Sequence, residues 1–107
     1  TIDREAAKAD LGLPREACLL TIFGFLAPHK GQDLAIEALR GLPPQVHLAI
    51  VGGKHPSSAN DFTERLTAAA AEFGPRVRLT GYVDFPTAER YFAATDLCLA
   101  PYRDTES

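Results

Sequence analysis

Residues 17–39 read Ala17-Cys-Leu-Leu-Thr-Ile-Phe23, then Gly24-Phe-Leu-Ala-Pro-His-Lys-Gly31, then Gln32-Asp-Leu-Ala-Ile-Glu-Ala-Leu39. The first segment is a nearly unbroken apolar run. A strand without polar alternation is buried on both faces, as when helices cover a parallel sheet. The third segment has the spacing of an amphipathic helix. Strand, loop and helix in that order put the loop at the carboxyl end of a strand, where such sheets bind ligands.

The alternation extends in both directions from this stretch. Upstream, Asp3 is placed to cap a short helix over 4–11, which Gly12 and Pro14 end. Strand one covers 18–24. The helix after it runs over 31–42, with Leu34, Ala35, Ala38, Leu39 and Leu42 on one stripe, Asp33, Glu37 and Arg40 opposite, and Pro43-Pro44 as its stop. Strand two, 46–51, closes at Gly52-Gly53, and an exposed polar loop follows over 54–60. A helix over 61–73 repeats Phe62, Leu66, Ala69, Ala70 and Phe73 at helical spacing and stops at Gly74-Pro75. A short strand over 77–80 leads through Gly81-Tyr82-Val83 to Asp84, the cap of a helix over 85–94 with Pro86 in its first turn. A last strand, 96–100, ends at Pro101. These elements predict an α/β fold: a Rossmann-like parallel sheet with helices on both faces and about four strands in the order 3-2-1-4.

The chain has 107 residues, 46% of them hydrophobic, enough for one core. Its 11 basic and 14 acidic residues give a net charge of −3. No basic stripe or tail follows a phosphodiester backbone, which argues against general nucleic-acid binding. The longest apolar run is about half of the roughly 20 residues that cross a bilayer, and the polar start Thr1-Ile-Asp-Arg-Glu5 is not a signal peptide. Cys18 and Cys98 lie in apolar runs and read as small buried hydrophobes, which fits a reducing cytoplasm. The absence of a starting methionine and of a helix after the last strand reads as a fragment: residues 1–107 as one partial domain of a larger protein.

Gly24, Gly52 and Gly81 end three strands and Pro101 the fourth, so one edge of the sheet carries little side-chain bulk. Such an edge admits a ligand close to the backbone, although glycines also serve tight strand-to-helix turns. Lys30-Gly31 opens a helix, where free N–H groups and an ammonium suit a phosphate or diphosphate; a solvated loop lysine is the plainer alternative. A Walker loop needs glycine before lysine, which is reversed here. A dinucleotide site needs Gly-x-Gly-x-x-Gly after strand one and an acid near the end of strand two, where this chain has Gly24-Phe-Leu-Ala and Gly52-Gly-Lys54. His29, His47 and His55 lack ligand spacing, so no metal site is expected. Ser57, Ser58 and Ser107 occupy no nucleophile elbow, which leaves a hydrolase triad unsupported. Most carboxylates sit on helix faces, and Glu106 alone stands just past strand four at the presumed crevice.

Five patterns in this order resemble a known family: Leu11-Gly-Leu-Pro14; Phe23-Gly-Phe-Leu-Ala-Pro-His-Lys-Gly31; His47-Leu-Ala-Ile-Val-Gly-Gly53; Val77-Arg-Leu-Thr-Gly-Tyr-Val83; and Tyr91-Phe-Ala-Ala-Thr-Asp-Leu-Cys-Leu-Ala-Pro101. Together they resemble the C-terminal, donor-binding domain of GT-B glycosyltransferases of the glycosyl transferases group 1 family. The resemblance implies that a nucleotide-diphosphate sugar binds at the glycine edge as donor substrate, along Gly24, Phe25, Lys30, Gly31, Gly52, Gly53, Gly81, Tyr82 and Val83. Lys30 would neutralise the diphosphate, and the backbone over 81–83 would lie near the nucleobase. It further implies transfer with retention of anomeric configuration, no cofactor, and no tightly bound metal.

Two departures from the family pattern bear on this. Phe25 stands where the family commonly has an arginine that forms a basic pair with the lysine. The family's Glu-x7-Glu segment follows the last strand seen here, so Glu106 would be its first acid, catalytic together with Lys30, and its second lies beyond Ser107. Without that segment and an acceptor domain, the isolated chain is expected to be inactive. The same departures keep open an alternative, a non-catalytic Rossmann-like binding or interaction module of a larger protein. An unpaired edge on strand four is expected to favour self-association. A parent protein could still associate with a membrane through another domain.

Overall fold

In the computed structural model, which describes residues 3–54 and 60–102, β1 (Cys18–Phe23) is the central strand. It pairs in parallel with β2 (Val46–Val51) on one side and β4 (Leu97–Cys98) on the other, and β3 (Val77–Leu79) lies beyond β2. The order is β3-β2-β1-β4, as expected. The pleat divides the apolar runs between two cores. Ile22, Leu48 and Ile50 face α2 (Gln32–Ala38) and α3 (Asn60–Ala71), packing with Ile36, Leu39, Phe62 and Leu66. Leu19, Ala49 and Val51 face α1 (Arg4–Asp10) and α4 (Phe85–Ala94), packing with Ala7, Leu13, Tyr91 and Ala94. Burial on both faces explains why neither strand alternates with polar residues.

The helix ends follow local chemistry. The Asp3 carboxylate accepts from the Glu5 N–H at 3.3 Å, and Asp84 accepts from the Thr87 N–H at 3.0 Å. Hydrogen bonding from Thr87, its hydroxyl first, holds the Asp84 carboxyl below its ordinary pKa. On α3 the expected stripe is in place, with Phe62, Leu66 and Ala70 buried.

Three expectations are corrected. On α2 and the 3-10 turn Leu39–Gly41 that follows it, the buried positions are Gln32, Ala35, Ile36 and Leu39, while Leu34 and Ala38 face outward and Leu42 is 39% exposed. The helix is rotated relative to a purely apolar count because Gln32 enters the interior. The last strand is confined to Leu97 and Cys98; the Leu99 N–H still donates to the Thr21 carbonyl of β1, and the chain then runs beside α2. Cys98, on this edge strand, is exposed, and Cys18, at the start of β1, is only half-buried, so neither is a core hydrophobe, and both are free thiols. His47 is buried, and burial, then the nearby Arg78 and Arg76, lowers its pKa.

A buried ion pair joins the two ends of the fold. The Lys8 side chain is 8% exposed; its ammonium donates to Asp96 Oδ2 and to the Ala17 carbonyl, each at 2.7 Å. Asp96 Oδ2 also accepts from the Leu19 N–H at 2.7 Å, and Oδ1 from Arg4 at 3.1 Å. Burial of Asp96 raises its pKa, but hydrogen bonds from Lys8 and Leu19 and the charges of Lys8 and Arg4 outweigh it, leaving the carboxyl below its ordinary value. A depressed folded-state pKa stabilises the fold fully above the unfolded-state value, and the contribution is lost as pH falls through the folded-state value. Breaking a fully buried pair costs about 3–5 kcal/mol; with partial exposure of Asp96 we expect Asp96→Asn to lose about 2 kcal/mol at neutral pH. Denaturant unfolding against pH checks this: the gap to wild type should narrow below about pH 4, and a gap that persists undiminished in stronger acid contradicts it.

Candidate functional site

At the carboxyl edge, β1, β2 and β3 run into Gly24, Gly52 and Gly81, with φ of +134°, +146° and +68°. The Gly24 N–H donates to the Val51 carbonyl at 3.0 Å, and a Cβ on Gly52 would collide with the Gly24 carbonyl. Gly52 also bridges to Gly81, and Gly53 packs on the backbone of Tyr82. The Gly52 N–H donates to the Thr80 hydroxyl at 3.3 Å, which itself donates to the Gly81 carbonyl at 2.8 Å. Three strand ends therefore meet backbone to backbone.

The loop after β1 is held by Gln32, which is fully buried. Its side-chain amide donates to the Phe25 carbonyl at 2.8 Å and accepts from the Ala27 N–H at 3.4 Å. The Leu26 N–H donates to the Gly53 carbonyl at 3.1 Å, tying the loop to the end of β2. A 3-10 turn over Pro28–Lys30 then leads to Gly31 at φ +75°. A Cβ there would collide with the Pro101 carbonyl, so the chain leaving β4 lies directly on Gly31. Lys30 Nζ sits 3.8 Å from where a Gly24 Cβ would be and 4.8 Å from the centre of the Tyr102 ring. The ammonium is thus placed over the bare end of β1. Asp33 stands in the first turn of α2 and itself complements that helix end, which leaves Lys30 as the main attraction for an anion.

The sequence-predicted residues Gly24, Lys30, Gly31, Gly52, Gly53, Gly81 and Tyr82 converge at this edge, and Tyr82 is 88% exposed. Phe25 joins them by its backbone, with its ring half-exposed. The Val83 side chain packs against the core between the sheet and α1 and α4, which leaves its backbone at the end of the same loop. His29 is exposed, and Glu106 lies outside the described residues. Sequence reasoning missed Gln32, Thr80 and Tyr102. The spacing of positions 32, 35, 36 and 39 could have exposed Gln32 as part of the buried stripe.

A surface hollow of about 540 Å³ lies elsewhere, at the start of β4, lined by Arg4, Glu89, Phe92, Thr95, Asp96 and Cys98. Its charged groups Arg4 and Asp96 are already committed to the ion-pair node. Among the described residues no three His, Cys, Asp or Glu side chains group as metal ligands, and no helix is long and apolar enough to cross a membrane.

A family model described as "Glycosyl transferases group 1" matches residues 17–107. The chain is 37% identical over 79 residues to D-inositol 3-phosphate glycosyltransferase of Acidothermus cellulolyticus, covering 67% of this chain and 17% of that relative. The crystal structure of Anabaena Alr3699/HepE in complex with UDP superposes with a TM-score of 0.75 at 28% identity, over 89% of this chain and 26% of that one. The C-terminal domain of a glycosyl transferase group 1 family protein (LpcC) from Francisella tularensis shares the fold, with a TM-score of 0.71 at 20% identity over 94% of this chain and 53% of that domain. The chain therefore spans only 17% and 26% of the first two of these proteins.

The contact between Gly52 and Gly24 gives a direct test. We expect Gly52→Ala to destabilise by about 3 kcal/mol or more, through overpacking against a carbonyl together with left-handed strain. Gly12→Ala, at φ +73° with nothing within 4 Å of the added carbon, should lose about 1–2 kcal/mol from strain alone. Chemical denaturation of both variants checks the difference, and equal losses would remove the close contact as the cause.

Proposed function

The chain belongs to the glycosyl transferases group 1 family of GT-B glycosyltransferases, and from that premise we propose that it is the donor-binding part of an enzyme that transfers a sugar from a nucleotide-diphosphate sugar to an acceptor. The observation that carries the reading is Lys30, whose ammonium stands over Gly24 at an edge where three strand ends present bare backbone. A diphosphate lying along Gly24, Gly52 and Gly53 meets no side-chain bulk and meets one fixed positive charge. As the bond from the anomeric carbon to the donor's diphosphate oxygen breaks, negative charge grows on the leaving diphosphate. A preplaced ammonium stabilises that charge without reorganisation. With Phe25 where a second cation commonly stands, Lys30 supplies most of this stabilisation within the chain. Tyr82, exposed beside Gly53 and Gly81, is the surface offered to the nucleobase.

The proposal includes transfer with retention and no metal or other cofactor, with Lys30 taking the electrostatic role. Glu106 is assigned to the donor sugar or ribose. The acceptor-binding groups are assigned to a partner domain, so the isolated chain binds donor without turning it over. Support comes from the relatives: one is a D-inositol 3-phosphate glycosyltransferase, and Alr3699/HepE was crystallised with UDP.

Titration with UDP, GDP and their sugar conjugates followed by NMR tests the assignment. Shifts should appear at residues 24–31 and 81–84, and their absence at millimolar ligand overturns it. Lys30→Ala should weaken diphosphate binding by about tenfold to a hundredfold, the worth of one charged hydrogen bond. We further propose that the exposed outer flank of β4, with Leu97 56% exposed, lets the isolated chain self-associate. Sedimentation over rising concentration checks this, and a strict monomer contradicts it.

A further inference from the structure

We infer that Tyr102 is a positioning residue that holds the Lys30 ammonium over the end of β1 through its ring face, so that the charge stands ready for a phosphate without being neutralised. The inference rests on the donor-binding reading above and adds to it a residue outside the glycine edge. Lys30 Nζ lies 4.8 Å from the centre of the Tyr102 ring, within the range of a cation–π contact. The same nitrogen lies 3.8 Å from where a Gly24 Cβ would be, so the ring and the bare backbone flank it.

Two features fix the ring there. The Leu99 N–H donates to the Thr21 carbonyl at 2.8 Å, which aims the chain along β1, and the Pro101 carbonyl then rests on Gly31. Leu99, Ala100 and Pro101 run beside Leu34, Ala35 and Ala38 of α2, the two segments together lining an apolar groove of about 450 Å³. The residue after Pro101 is thereby delivered beside the residue before Gly31. The ring itself is 57% exposed and belongs to neither core, so packing of the fold does not account for its placement.

The kind of partner matters. Among the described residues no carboxylate pairs with Lys30, whereas Lys8 and Arg4 share Asp96 and Arg40 holds both Glu37 and Glu72. A carboxylate would orient the ammonium but cancel the charge that an incoming anion needs. An aromatic face orients it and leaves the charge intact, because the attraction comes from the ring quadrupole.

The experiment uses the 107-residue chain with lysine-selective 13C labelling, as wild type and as Tyr102→Phe, Tyr102→Leu and Lys30→Ala. In the free protein, the Lys30 Hε protons should carry an upfield ring-current shift in wild type and in Tyr102→Phe, and lose it in Tyr102→Leu. UDP affinity should fall about two- to fivefold in Tyr102→Leu, the worth of an exposed cation–π contact, and be retained in Tyr102→Phe. Uridine, which has no phosphate, should bind equally to all four proteins, a pattern that a merely structural role would not produce. Unshifted Hε protons in wild type, or equal loss of uridine and UDP binding in Tyr102→Leu, overturn the inference. If UDP perturbs no variant at all, the donor-binding reading falls with it. A UDP response that Lys30→Ala abolishes and Tyr102→Leu leaves unchanged overturns the role of Tyr102 alone.

Discussion

The carboxyl edge of this sheet is built from backbone pressed against backbone. Gly52 lies on the Gly24 carbonyl and Gly31 on the Pro101 carbonyl, at separations that admit no side chain. From these two contacts the rest of the candidate site follows. The first lets β1 and β2 end level, so their peptide groups and that of Gly81 share one surface. The second draws the chain leaving β4 across the start of α2. Lys30 is caught between these contacts, on a 3-10 turn whose exit needs the left-handed conformation of Gly31. A sequence requirement for glycine thus becomes a local conformation, then a close approach, then the position of a charge.

Much of this was legible in the sequence because it is written in backbone chemistry. Apolar runs ending in glycine, caps at Asp3 and Asp84, and the stops at Gly12 and Pro43 report on one short segment at a time. They gave the order of elements, the order of strands and the glycine edge. The stripe of α3 was equally legible, since its buried residues Phe62, Leu66 and Ala70 are all apolar. On α2 the count of hydrophobes misled: Gln32 is polar yet fully buried, because its amide satisfies both a carbonyl and an N–H of the preceding loop. Such a residue looks exposed until its partners are known.

What escaped the sequence depends on pairs far apart in the chain. Lys8 reads as a solvated helix lysine, and its burial makes sense only beside Asp96 and the Ala17 carbonyl. Cys98 reads as core, but β4 is an edge strand paired over two residues, so its outer flank leaves the thiol exposed. Tyr102 carries no local signal. Its place beside Lys30 is a product of the contact between Gly31 and Pro101, which no spacing rule anticipates.

The pair of Lys8 and Asp96 also bears on the order in which the chain can fold during synthesis. Its partners stand 88 positions apart, and Asp96 also holds the Leu19 N–H, 77 positions away. A ribosome releases α1 and β1 long before the carboxylate that both require. Until then the ammonium of Lys8 keeps its water, since desolvating it alone is costly. Docking of α1 on the sheet therefore waits for Asp96 to be made, whereas β1 and β2 can pair across a far shorter loop. The entropy of the longer closure grows only logarithmically with length, so the delay is one of sequence rather than of prohibitive cost. Within residues 3–102, α1 is made before β4 and seated after it.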